Sequence, residues 1–255
     1  MPGVRGSGPP MRCVPRIGAA VVAAAGTLVC WVGVSAGPVR AGDDGARFLL
    51  FSGTDVWRDG AFVHGGLLWS PDGVDREGFT FKAMMSGGQY RYVSGSLDNT
   101  WVVGTEESIQ TLPGWRFKRE RLELKIFAGL EAKHGATSPA DPLNRLQGIH
   151  VGLRTAAEAW YEPTPFTMLA ANASFTTIAT DYTARIAYGW RLYDWFYVGP
   201  EAQALACDGY RQFRIGLQLT ALKTGRWEWS AAAGLANDSD RHTGPYLRLG
   251  VLTRR

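Results

Sequence analysis

A strict two-residue alternation of side chains in residues 182–206 constrains the fold more than any other feature of the sequence. The stretch reads YTARIAYGWRLYDWFYVGPEAQALA. In its first half, one parity is largely apolar around Ile186, and the other carries Arg185 and Arg191. Successive side chains of a β-strand leave opposite faces, so this period predicts two strands joined near Tyr193. Each half has about the 9–11 residues that a tilted strand needs to cross a bilayer.

The same period recurs along most of the chain, between short runs of turn residues such as Asp59-Gly60 and Asp72-Gly73. We therefore predict an all-β fold, a single antiparallel up-and-down β-barrel of about 12 strands within residues 42–255. A loop is predicted at 133–144. One or two of the candidate strands are expected to merge. The candidates are 48–57, 60–69, 78–92, 98–108, 112–118, 121–132, 146–160, 166–178, 182–193, 195–206, 211–222, 226–236 and 244–253.

Alternation alone also fits a soluble β-sandwich, which buries its apolar faces against each other. Three features favour an outer-membrane barrel. The strands are longer than the 5–6 residues typical of globular proteins. The polar parity mixes glycine with arginine and glutamate, which suits a lumen where opposite charges pair. Aromatic residues such as Trp190 and Trp227 sit at strand ends, where interfacial girdles lie. A soluble periplasmic β-protein remains the alternative.

The first 41 residues have the features of a signal peptide. Arg12 and Arg16 precede an apolar run over 17–34, and Val39 and Ala41 have the spacing of a signal-peptidase site. This segment predicts export, with the outer membrane as the destination and the periplasm as the alternative.

Removing that segment changes the charge balance. The chain has 27 basic and 23 acidic residues, and residues 1–41 contain four arginines and no acid. The remainder, 27 − 4 = 23 basic against 23 acidic residues, is neutral, so nothing favours a nucleic-acid partner. Cys207 would be the one cysteine left, which excludes an internal disulfide in the mature chain.

No motif in the sequence predicts catalysis, a metal site or a cofactor. The four histidines, His64, His134, His150 and His242, lack the close pairs that metal sites use. No serine shares a strand face with His150, although pairing across strands stays open. An outer-membrane enzyme acting on lipid or polysaccharide is the alternative, and a carboxylate pair facing one cavity would favour it.

The polar parity of the predicted strands defines a candidate lumen. Its charges suit either a structural set of ion pairs or a polar path for a polysaccharide, and the two are left open. The residues predicted to line it are Arg116, Arg154, Arg185, Arg191, Tyr197, Glu201, Arg214, Glu228, Tyr246 and Arg248. Lys125, Arg226, Glu123 and Glu131 share this parity.

Several stretches resemble the bacterial cellulose biosynthesis proteins of the BcsS type. They include LPGWRFKR, LNRLQGIHVGLR, WYEPTPFTMLAANAS and YLRLGVLTRR, and the likeness runs in order through nearly all of 48–255. It implies an exported accessory of cellulose production and biofilm exopolysaccharide, and the lack of a catalytic motif makes a non-enzymatic role the prediction. Such a protein would sit in outer-membrane lipid and aid export or anchoring, with cellulose or other synthesis components as partners. No catalytic, cofactor or metal-binding residue is carried over from the family.

Overall fold

The computed structural model describes residues 45–240 and 242–255. The predicted signal peptide, residues 1–41, lies outside the described residues. Twelve strands follow one another: β1 (Phe48–Trp57), β2 (Gly60–Trp69), β3 (Gly78–Ser94), β4 (Thr100–Arg119), β5 (Leu122–Ser138), β6 (Gly148–Thr164), β7 (Thr167–Thr176), β8 (Tyr182–Leu192), β9 (Phe196–Cys207), β10 (Tyr210–Thr224), β11 (Trp227–Asp238) and β12 (Thr243–Arg254).

Each strand pairs antiparallel with its neighbours in sequence, and β1 closes on β12. This closed barrel confirms the predicted architecture and excludes two packed sheets. No helix among the described residues is long and apolar enough to cross a membrane.

Two of the predicted strands, 98–108 and 112–118, merge into β4. Pairing of β4 with β5 runs to Thr111 and resumes at Gly114, on either side of Pro113, which has no N–H to donate. The predicted loop at 133–144 is wrong in its first half. There β5 continues to Ser138, because its small residues keep pairing with β4 through Val103.

The two faces of the sheet differ sharply in polarity. In β10, Leu217 is 65% exposed on the outer face, whereas the adjacent Gln218 and Arg214 are 3% and 1% exposed on the inner face. A soluble protein has the opposite arrangement. An apolar outer band around a polar interior is the arrangement of a membrane-spanning barrel.

Large aromatic side chains are exposed near both ends of the barrel. They form two rings at the edges of the apolar band, as interfacial girdles do. One end has Trp101, Phe175 and Tyr182, and the other has Phe48, Trp115, Tyr161, Trp190, Trp195, Trp227 and Trp229.

Glycines on the inner face make room for aromatic rings from the neighbouring strand. A Cβ at Gly104 would come within 2.4 Å of the Tyr90 ring, and one at Gly114 within 2.5 Å of the Phe127 ring. These rings lie over the adjacent glycine backbone, and a side chain at either glycine would prevent that contact.

The barrel has two ends, here named the Arg255 end and the Asp141 end. Both Phe48 and Arg255 lie at the first, where the Phe48 N–H donates to the Arg255 carbonyl at 2.7 Å. The β2–β3 connection folds inward there, and Val74 is buried against Leu68 and Phe127. The sequence indicates only the Asp72-Gly73 turn in this segment, and its apolar residue Val74 closes part of that end.

Candidate functional site

The middle of the lumen is held by charged and polar groups that bond to one another. Glu201 of β9 accepts hydrogen bonds from Arg185 of β8 at 3.2 Å and from Tyr246 of β12 at 2.9 Å. Arg248 also pairs with this carboxylate. One buried glutamate therefore ties three strands together, with two cations and one hydroxyl meeting its charge.

A second group is centred on Arg214. Its guanidinium makes a bidentate pair with Asp55 of β1 at 2.7 and 2.8 Å. The rings of Trp57 and Tyr246 lie 5.1 and 5.2 Å from it. Gln212 accepts from its Nε at 2.6 Å. This arginine is almost fully buried, and its bonds bridge β10 and β1 across the lumen.

A third group lies on the β4–β6 side. Glu131 accepts from Gln110 and Arg154, each at 2.9 Å. Lys133 pairs with Asp181 at 2.6 Å and with Glu106 at 3.3 Å. The charges of the central lumen are thus met by partners on neighbouring strands or on strands up to three apart in the ring.

A cavity of 130 Å³ lies on the inner wall between this layer and the Arg255 end. Its polar wall consists of charged and amide side chains, and its other wall is aromatic and apolar. The lining residues are Glu123, Lys125, Glu158, Ala159, Trp160, Met168, Ala170, Asn172, Arg185, Ala187, Gln218 and Thr220. They come from β5 to β8 and from β10, since inward-facing positions of these strands meet at one height.

Ion pairs hold the charged part of this wall. Glu158 accepts from Lys82 at 2.6 Å and lies 3.5 Å from Lys125. Lys125 also pairs with Glu123 at 2.9 Å. Arg116 is buried beside them, 3.7 Å from Glu123, and its Nε and Nη1 have no hydrogen-bond partner.

The connection between β5 and β6, residues 139–147, forms a strap across the Asp141 end. Asp141 accepts from Tyr92 at 2.9 Å and from Ser96 at 2.7 Å, at the end of β3. Farther along, Arg145 meets Asp208 at the β9–β10 turn, at 3.9 Å. Strands β3 and β9 lie on opposite sides of the 12-strand ring. The strap therefore spans the mouth of the barrel.

Hydrogen bonds from Ser94 and Ser96 lower the pKa of Asp141 from 3.8 to about 2. Its carboxylate thus stays ionised and bonded to the barrel wall at neutral pH. Leu146 of the same strap is buried over Gly135, which adds an apolar contact.

The predicted lumen residues do not all meet in one place. Arg185, Glu201, Tyr246 and Arg248 meet in one cluster, which Arg214 joins through the Tyr246 ring. Arg154 lies in the Glu131 group, Tyr197 packs on Trp160, Arg116 lies beside Glu123, and Glu228 pairs with Arg254.

Arg191 is the exception. It has the inward parity but is exposed at the barrel rim, where it lies over the Tyr197 ring at 5.6 Å. The strand ends just beyond it at Leu192. Arg226 likewise falls in the exposed β10–β11 turn. Parity places a side chain on a face but does not set its depth along the barrel.

Sequence reasoning missed three residues that complete these groups: Asp55, Lys82 and Glu158. Glu158 continues the inward parity of Arg154 along β6, and that signal could have found it. The pairing of Asp55 with Arg214 spans 159 positions of sequence, and no local pattern indicates it.

Two arrangements of side chains would support catalysis, a serine bonded to a histidine and a pair of carboxylates that face one cavity. His64 lies opposite Ser86 in the register of β2 and β3, yet the Ser86 hydroxyl bonds Ser108 at 2.8 Å instead. Among the described residues, no serine hydroxyl bonds a histidine ring. A carboxylate pair does face one cavity, since Glu123 and Glu158 both line it. Both glutamates also pair with Lys125. Sugar hydrolysis needs one carboxyl of such a pair to act as an acid, and Lys125 contacts both of these.

A further cluster joins two connections of the Asp141 end, β1–β2 and β11–β12. Ligating atoms of Asp59, Asp238 and His242 lie within 4.8 Å of one another. Asp59 also accepts from Arg91 at 2.9 Å, so arginine already meets part of the negative charge. The separate sequence positions of Asp59 and His242 explain why spacing rules gave no sign of this cluster.

Comparison with protein-family models decides the family. Residues 49–255 match the model described as cellulose biosynthesis protein BcsS. The chain belongs to the BcsS family of cellulose biosynthesis proteins. The resemblance predicted from the sequence is confirmed. A search of curated proteins found no match to this BcsS-family chain.

Solved structures similar to this BcsS-family chain are β-barrels. The translocator domain of the autotransporter NalP from Neisseria meningitidis is 14% identical, with a TM-score of 0.51 over 93% of this chain and 94% of that one. The TodX deltaS2S3 mutant monoaromatic hydrocarbon channel is 8% identical, with a TM-score of 0.52 over 84% and 91%. An outer membrane channel from Pseudomonas putida F1 is 11% identical, with a TM-score of 0.47 over 86% and 100%. At these identities the likeness concerns the fold alone.

Proposed function

We propose that this protein is a non-enzymatic accessory of cellulose biosynthesis that resides in the outer membrane and anchors the polysaccharide or its machinery. Export through its lumen is the less favoured form of the same role. The single observation that carries the preference is the layer of paired side chains around Glu201, Arg214 and Glu131, which occupies the central lumen.

The proposed location is supported by the apolar outer band and its aromatic rings, which fit a bilayer. The signal peptide predicted at residues 1–41 would provide export to that membrane.

Deletion of the gene tests the role. We expect surface cellulose to fall, while glucan synthesis by isolated inner membranes continues, because the proposed role lies outside the synthetic step. Unchanged surface cellulose in the deletion strain would contradict the proposed role. Loss of glucan synthesis in the isolated membranes would contradict its placement outside that step.

Complementation tests the absence of catalysis. The Glu158→Gln variant keeps the size of the side chain but removes a carboxylate from the only glutamate pair that faces the cavity among the described residues. We expect it to restore surface cellulose, as the wild-type chain does. A correctly folded Glu158→Gln barrel that fails to restore cellulose would favour an enzyme acting on the polysaccharide.

A further inference from the structure

The 130 Å³ cavity has two chemically different walls. Trp160, Met168 and Ala170 form an apolar wall, and Met168 and Ala170 are buried in one cluster with Tyr197. The opposite wall presents amides, a hydroxyl and charged groups. A ligand that fits such a cavity needs an apolar face and a polar edge.

The residues that line the cavity carry no net charge. Lys125 and Arg185 carry two positive charges, and Glu123 and Glu158 carry two negative ones. Each is already paired, Lys125 with both glutamates and Arg185 with Glu201. An ionic ligand would have to displace one of these pairs, so the cavity favours a neutral ligand with many hydroxyl groups.

Gln218 and Asn172 supply hydrogen-bonding groups that the protein itself hardly uses. The Gln218 side chain is 3% exposed, and its one hydrogen bond is a long contact of 3.5 Å to the Tyr188 carbonyl. Asn172 accepts from Arg185 at 2.8 Å through its oxygen, which leaves its NH₂ group for another partner. Buried amides favour a ligand that offers both donors and acceptors.

We propose that this cavity binds one terminal sugar unit of a neutral β-linked glucan. The pyranose ring of such a unit carries its hydroxyl groups around the edge and C–H bonds on its faces. The faces match Trp160 and Met168, and the edge matches the amides of Gln218 and Asn172. This site rests on the proposed function, because it names the chemical class that the anchor holds.

The position of the cavity along the barrel limits its ligand to the end of a glucan chain. The lining begins near the Arg255 end, with Glu123 at the start of β5, and stops at Arg185, which bonds the buried Glu201. Beyond that point the central layer fills the lumen. A glucan that enters from the Arg255 end is therefore held by its terminal unit and does not pass through.

Calorimetric titration of the folded protein in nanodiscs with cellotetraose tests the site. We expect saturable binding with one glucan per barrel, and no comparable heat with sodium phosphate or with the acidic tetramer of galacturonate. Wild-type protein that binds no cellotetraose would overturn the proposal. So would tighter binding of either anion than of cellotetraose.

Two variants locate the binding. Gln218→Leu keeps a side chain of similar size without its amide, and Trp160→Leu removes the aromatic wall. We expect each to weaken binding by roughly tenfold or more, the order expected for one buried polar or stacking contact. Trp229→Leu, a change on the outer face, is the matched control and should bind as wild type. If all three variants bound cellotetraose with the affinity of the wild type, the ligand would bind elsewhere and the proposal would be overturned.

Failure of this site and failure of the proposed function give different results. If the deletion strain loses surface cellulose but a folded Gln218→Leu chain restores it fully, the proposed site is wrong and the accessory role stands. If cellotetraose binds at the cavity but deletion leaves surface cellulose unchanged, the accessory role is wrong and the site stands.

Discussion

At the scale of single residues, the direction of a side chain was predictable and its partner was not. The period of two placed Leu217 outward and Gln218 inward in β10, as the structure has them. The same period gave no means to pair Arg214 with Asp55, which belongs to the far end of the sequence. Alternation is a property of one strand, whereas an ion pair across the lumen depends on how twelve strands close.

An arginine at position 217 tests the outward face. Leu217 lies at the middle of β10, and Leu217→Arg should reduce the free energy of unfolding by about 2–4 kcal/mol in lipid vesicles, as for a cation near the bilayer midplane. Urea titration followed by tryptophan fluorescence measures it. Thr220→Arg, which points into the cavity, is the control and should cost much less. Equal losses at both positions would mean that β10 faces the other way.

The Arg214–Asp55 pair gives a second prediction at this scale. Asp55→Ala leaves a guanidinium that is 1% exposed without its carboxylate, and we expect a loss of about 3–5 kcal/mol in unfolding free energy. The double variant Asp55→Ala, Arg214→Met removes both charges and should recover part of that loss. A double variant that is as unstable as the sum of the two single variants would show that the pair is not coupled.

At the scale of elements, strands were predictable and connections were not. Runs of alternating residues identified nearly every strand, but a gap was predicted at 109–111, where β4 is continuous, and β4 also contains Pro113. Proline removes one donor, and a long strand tolerates that loss when both flanks remain paired. The connections at 70–77 and 139–147 look polar in sequence, yet each buries one apolar residue, Val74 or Leu146. Their folding depends on surfaces supplied by distant strands.

The strap should respond to pH through Asp141. Its folded-state pKa of about 2 lies below the usual 3.8, so its contribution is present above about pH 4. That contribution is lost as pH falls toward 2. We expect pepsin to cut the strap near Leu143 faster at pH 2 than at pH 4, relative to a free peptide of the same sequence. Asp141→Ala should be cut fast at both values. Leu143→Ala, at an exposed position, is a control for the pH response and should keep it.

At the scale of the whole molecule, the filled lumen predicts electrical behaviour. The protein in a planar bilayer should show no steady ohmic conductance, because paired side chains occupy the central layer and the strap spans one mouth. An open porin in the same bilayer is the positive control. A stable open conductance would indicate a continuous water path and would favour export over anchoring.

The closure of β1 on β12 has a consequence for how the chain reaches this structure. Leu49 pairs with Arg254. The free edges of β1 and β12 therefore lack hydrogen-bond partners until the last strand is in place. Contacts of such long sequence separation form slowly. Until they form, the incomplete sheet presents two open edges that invite association with other chains. The barrel therefore cannot close without the C-terminal strand β12. Until it closes, the edges of β1 and of the growing sheet need an environment that shields them from other chains.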